Sequence, residues 1–153
     1  MIDHLQSHQV GFVHVLAAVA ALATGFVVLA DRKGTARHRL LGRAYGIAMI
    51  VMNGTALLIY ELFGRFGPFH WFAVFSLASV VGGWIAALRR APGWRHRHAY
   101  FMVGSYVGLV AGAVAEVASR VPGWSFGPSV VGSSVIVIGI GLLLMWRLLP
   151  RSL

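Results

Sequence analysis

The sequence predicts an all-α integral membrane protein, a bundle of about five transmembrane helices, on three observations. Of its 153 residues, 58% are hydrophobic and only 11% are charged. The apolar residues fall into nearly uncharged runs of about 20 residues, the length that crosses a bilayer as a helix. The period-two alternation of a membrane barrel is absent. Because a backbone in lipid must satisfy its own hydrogen bonds, helices are the expected structure.

Five runs occur, and each predicts one span: 10–30, 41–63, 69–88, 99–119 and 129–146. The connections are short, which predicts a single transmembrane domain over residues 1–153. Its first four helices are expected to form a four-helix core, with the fifth packed outside them. The first run has no basic segment before it and is longer than the apolar part of a signal peptide, so we interpret it as a retained helix.

The basic residues predict the orientation. The chain has 13 Lys and Arg and a formal net charge of +9. All of them except Arg65 and Arg120 lie in connections on one side of the predicted bundle: Arg32, Lys33, Arg37, Arg39, Arg43, Arg89, Arg90, Arg95, Arg97, Arg147 and Arg151. This asymmetry places the N-terminus outside and the C-terminus in the cytoplasm. It favours anionic lipid headgroups over nucleic acid as the partner of the cytoplasmic loops.

Four ionisable side chains are expected in the outer half of the membrane, where solitary charge is costly. They are His14, Glu61, His70 and Glu116. Imidazole and carboxylate together suit a zinc-like transition metal ion, and the absence of cysteine excludes a thiolate site. The leading hypothesis is therefore a metal centre of His14, His70 and Glu116, with Glu61 as a ligand or a support. Metal-assisted hydrolysis of a lipid and quinone-linked redox chemistry both stay open, as does whether the protein is an enzyme. A plainer reading pairs Glu116 with Arg120, four residues later.

Two alternatives compete with a metal ion. His38 and His98 open the second and fourth predicted helices on the cytoplasmic side. With His14 and His70, they would supply two axial imidazoles per iron for two haem b groups in a membrane electron carrier. The other alternative is a non-enzymatic scaffold or lipid-binding subunit, in which the polar groups only hold helices together.

Glycines at a regular interval predict where helices approach closely. Gly104, Gly108 and Gly112 are spaced by four residues and would form a tight seam on the fourth helix, with Glu116 continuing the interval. Glycines of the fifth helix would permit a homodimer.

Several stretches resemble a known family. "HRLLGRAY" from His38, "NGTALLIYELFGRFGPFHWFAVFSLAS" from Asn53 and "HAYFMVGSYVGLVAGAVAEVASR" from His98 are similar to the predicted bacterial membrane proteins grouped as domain of unknown function 2306. The resemblance implies a small multi-pass protein of the inner membrane. It implies no activity.

Overall fold

The computed structural model describes residues 2–60 and 64–149, with side chains from His8 onward, and these residues form α-helices without any strand. The five helices are α1 (Ile2–Ala30), α2 (Ala36–Ala56), α3 (Pro68–Arg89), α4 (Trp94–Ala118) and α5 (Phe126–Leu148). The predicted all-helical class and the number of helices are therefore confirmed for the described part of the chain.

Four of these helices are long and apolar enough to cross a membrane: His8–Ala30 within α1, and the whole of α3, α4 and α5. Each contains most or all of the predicted run. The structure extends α4 five residues earlier than the predicted start at 99, into the Arg-rich segment. The predicted start followed from apolarity, which marks only the part of a helix suited to hydrocarbon. The helical hydrogen bonds of the backbone continue beyond that part, into the Arg-rich segment.

Helix α2 differs most from its predicted span of 41–63. It begins at Ala36, because the Thr35 hydroxyl accepts a hydrogen bond from the backbone N–H of His38 at 3.0 Å and caps the first turn. It ends at Ala56, where the N–H groups of Leu58 and Ile59 bond three residues back and tighten the chain into a turn. Three arginines in its first half keep α2 out of the group of apolar spans.

The chain divides into two compact units, Met1–Leu77 and Ala78–Leu153, and the division falls within α3. In unit 1, α1 packs against α2 around Ala21, Tyr45 and Met49. Arg37 pairs with Asp31 at 3.4 Å across the connection between these helices. Lys33 donates from Nζ to the carbonyls of Val28 and Leu29 at the end of α1, at 2.8 and 2.7 Å.

A buried amide also ties α2 to the first half of α3. Asn53 is 1% exposed, and its Nδ2 donates to Met49 O at 2.8 Å and to the Ser76 hydroxyl at 3.3 Å. An amide in an apolar interior is stable only when its donors are satisfied, so this pair fixes α2 against α3.

Replacing Asn53 by Leu is expected to lower the free energy of unfolding by about 1 kcal/mol, the usual scale for an interhelical hydrogen bond in a membrane protein. Unfolding by SDS in dodecyl maltoside, followed by tryptophan fluorescence, measures the change. Ser76→Ala removes the same interhelical bond and should cost a similar amount. A Ser76→Ala protein as stable as the wild type would contradict this account.

Unit 2 is built on the packing of α4 against α5. The helices are in tight contact at Gly141, where an added Cβ would lie 3.1 Å from Val107 Cβ and closer still to its two methyl groups. The glycines predicted to form a tight seam on α4 are not in such a contact. A Cβ at Gly108 or Gly112 would meet no described atom within 4 Å, and one at Gly104 would meet only Met145, at 3.9 Å. Four-residue spacing indicates a helix face of small residues. Which glycine is needed for close packing depends on the side chains of the helix that packs against it.

Candidate functional site

His14 is held by α2. Its Nδ1 lies 3.0 Å from the carbonyl oxygen of Met52 and 3.2 Å from the Thr55 hydroxyl oxygen. A carbonyl only accepts, so Nδ1 carries the proton and donates to Met52. The Thr55 hydroxyl gives its own proton to α2 carbonyls, so its oxygen accepts as well. The neutral ring therefore presents a lone pair at Nε2, the form in which histidine binds a metal.

His98 has the same arrangement in unit 2. Its Nδ1 donates to the carbonyl oxygen of Gly83 on α3 at 2.9 Å, which again leaves the Nε2 lone pair available. Gly83 makes this approach possible, because a Cβ there would lie 2.5 Å from Met102 Sδ, one turn beyond His98. The sequence reasoning missed Gly83. The signal was the Gly82–Gly83 pair inside an apolar helix, a place where a neighbouring helix can come close.

His70 has the opposite chemistry. It is 3% exposed, and its Nδ1 accepts the backbone N–H of Gly67 at 3.1 Å, so the neutral ring carries its proton on Nε2. Gly67 precedes Pro68, the first residue of α3, so His70 is at the third helical position. It reaches back to the cap N–H as Glu or Gln does in a capping box. The rings of Tyr60 and Phe66 flank it, with centroids 4.6 and 4.8 Å away. Among the described residues, Nε2 has no hydrogen-bond partner.

Glu116 lies at the far end of α4 and pairs with Arg120. Arg120 Nη2 is 2.5 Å from the Glu116 carboxylate, and Arg120 Nη1 donates to the Glu116 carbonyl at 2.9 Å. The plainer sequence prediction for Glu116 is therefore confirmed. The Glu116 side chain is 48% exposed, so this carboxylate is neither deeply buried nor without a cation.

The other predicted ligands are placed as follows. His38 is half-buried in the first turn of α2. Glu61 falls outside the described residues. His14 and His70 belong to unit 1, and His98 and Glu116 belong to unit 2. Among residues 2–60 and 64–149, no group of three or more His, Asp or Glu is placed to hold a metal ion. The predicted convergence of His14, His70, Glu61 and Glu116 stays a prediction.

Comparison with known families supports the membrane assignment. A family model described as "Predicted membrane protein (DUF2306)" matches residues 11–150, nearly the whole chain. The protein belongs to the DUF2306 family. No curated protein and no solved structure matches the chain.

The family assignment agrees with the four long apolar helices, and together they fit a multi-pass membrane protein. The predicted resemblance to DUF2306 is thereby confirmed. The family description carries no activity, so a function for this DUF2306 protein has to be argued from its side chains.

Proposed function

We propose that this protein is a membrane electron carrier that binds haem b through histidine, with His14 and His98 as the ligands that the fold prepares. The observation that carries the proposal is the pair of Nδ1–H bonds to backbone carbonyls, one in each unit. A ligating histidine usually donates its other ring N–H to a carbonyl or carboxylate, which sets the tautomer and fixes the ring plane. Both rings satisfy this condition before any iron is present.

Haem demands less of the chain than the His/Glu metal ion centre does. Each haem b iron takes two imidazoles and no carboxylate, and the macrocycle is compatible with apolar helices. A bare ion would need Glu116 to exchange Arg120 for the metal. Imidazole ligation of haem therefore explains the observed side chains with fewer changes. A zinc-like ion at His14 is the second candidate, because the same Nε2 lone pair suits it.

From the sequence, His70 would hold one haem together with His14, and His38 would hold the other together with His98. For His70 this has a chemical consequence. Its Nδ1 must release the Gly67 N–H, and the ring proton must move from Nε2 to Nδ1, before Nε2 has a lone pair for iron. Removing His70 therefore tests a tautomer change that removing His14 does not.

The proposal includes a topology. The N-terminus lies outside and the C-terminus lies in the cytoplasm of the inner membrane, since the basic connections favour that side. Helix α2 crosses the membrane with the four apolar helices, its arginines reaching the cytoplasmic headgroups. In this orientation His14 lies in the outer half and His98 in the cytoplasmic half of the bilayer.

The test is the spectrum and elemental content of the pure protein, produced with a haem precursor in the medium. We expect a red protein with a Soret band, sharp α and β bands on reduction, and iron as the main bound metal. A colourless protein with stoichiometric zinc would replace haem by the second candidate. A colourless protein without bound metal would leave only the scaffold hypothesis.

A further inference from the structure

The connection between α3 and α4 gathers positive charge around one aromatic ring. The guanidinium carbons of Arg90 and Arg95 lie 5.8 and 5.7 Å from the centroid of the Trp94 ring, within range of cation–π attraction. We call Arg90, Trp94 and Arg95 the Arg–Trp cluster. Both arginines are exposed, so the cluster presents two positive charges beside one aromatic ring to its surroundings.

No acidic side chain of unit 2 lies near this cluster. Glu116 is the only acidic residue between Ala78 and Leu153 in the sequence. It pairs with Arg120. It also lies 21 residues beyond Arg95 on the same helix, about 31 Å along the axis. No acidic side chain of unit 2 therefore neutralises the cluster, which leaves its two guanidinium groups available to an anion from outside the protein.

The basic connection of unit 1 provides an internal comparison. There, Arg37 pairs with Asp31 at 3.4 Å, and Arg39 Nη1 donates to the Gly34 carbonyl at 2.8 Å. These arginines are engaged by the protein itself. Among the described residues, the side chains of Arg90 and Arg95 have the Trp94 ring but no carboxylate. The two connections thus carry similar charge but differ in how much of it is satisfied internally.

We infer that the Arg–Trp cluster binds the phosphate group of an anionic phospholipid headgroup. The connection joins two helices that are fit to cross the membrane, so it lies at a bilayer surface. Tryptophan is favoured at the headgroup level, and anionic lipid concentrates on the side where basic connections lie. Guanidinium groups bind phosphate oxygens in a fork geometry, so an exposed arginine of the cluster can hold a phosphate group through two parallel hydrogen bonds.

The experiment measures binding of dioctanoyl phosphatidylglycerol to the whole protein in dodecyl maltoside by native mass spectrometry. Each arginine near a membrane surface contributes about 1 kcal/mol to binding of anionic lipid, which is about fivefold in affinity. Replacing both Arg90 and Arg95 by Gln is therefore expected to weaken binding about 30-fold. Arg95→Lys keeps the charge but loses the fork, and it should give a smaller loss.

The matched control is Arg37→Gln with Arg39→Gln, which removes the same charge from the connection whose arginines have internal partners. We expect that variant to bind the lipid within about twofold of the wild type. An equal loss in both double variants would overturn the inference, because the effect would then come from overall charge. Competition by inorganic phosphate at the same concentration, or equal binding of dioctanoyl phosphatidylcholine, would also overturn it. The test is independent of haem content.

Discussion

His14→Asn and His98→Asn are each expected to remove about half of the bound haem b, and the double variant is expected to remove nearly all of it. Asn places an amide N–H close to the position of Nδ1, so the bonds to Met52 and Gly83 can persist. It offers no imidazole nitrogen for iron. The substitution thus separates ligation from helix packing, which an alanine would disturb together. Haem content per folded protein, from a pyridine haemochrome assay, is the measurement.

The controls are the other histidines of the same helices. His96→Ala removes a ring two residues from His98, and hence on a different face of α4. His8→Ala removes an exposed ring from α1. Both variants should keep full haem. A His14→Asn, His98→Asn double variant that folds and stays red would disprove the assignment.

His70→Ala tests the ring with the opposite tautomer. If haem falls as it does in His14→Asn, His70 ligates iron after losing its bond to Gly67. If haem stays while thermal stability drops, the capping bond at the start of α3 is its main contribution. In both cases His14 stays a haem ligand, so this variant tests His70 separately from His14.

Gly141→Ala is expected to lower the free energy of unfolding by about 2 kcal/mol, the scale of overpacking a close contact. The added methyl group would overlap both methyl groups of Val107. Valine has one strongly preferred rotamer in a helix, so its side chain cannot swing aside. The α4–α5 pair must then separate around this contact. SDS unfolding of the purified protein measures the change.

Two further variants test whether the loss comes from the contact between Gly141 and Val107. Gly139→Ala, two residues earlier on α5, adds a methyl group into open space and should change stability little. Val107→Ala in the Gly141→Ala background should restore most of the loss, because it removes the methyl groups in conflict. A Gly141→Ala protein as stable as the wild type would show that α4 and α5 do not pack as described. Gly83→Ala should cost less than Gly141→Ala, because the opposing Met102 side chain is flexible.

Much of the fold was predictable because its signals are local. Runs of apolar residues gave the helices, and α3 agrees with its predicted span to within one residue at each end. The spacing of Glu116 and Arg120 predicted their ion pair, since residues four apart are neighbours on any α-helix. The limits of α2 were less accurate. Its arginines suggested a loop, whereas Thr35 caps a helix that contains them.

The sequence by itself determined that the chain is helical, which segments suit a membrane, and on which helix each histidine lies. Only the tertiary structure decided what each histidine can do. His14 and His98 keep a lone pair on Nε2 because their Nδ1–H groups donate to carbonyls on neighbouring helices, from residues 38 and 15 positions away in the chain. His70 keeps its proton on Nε2 because its Nδ1 accepts the Gly67 N–H at the start of α3. The pattern of apolar residues predicts the depth of each histidine in the membrane and its helix face. Which ring nitrogen keeps a lone pair for a metal depends on whether a backbone carbonyl or a backbone N–H contacts Nδ1.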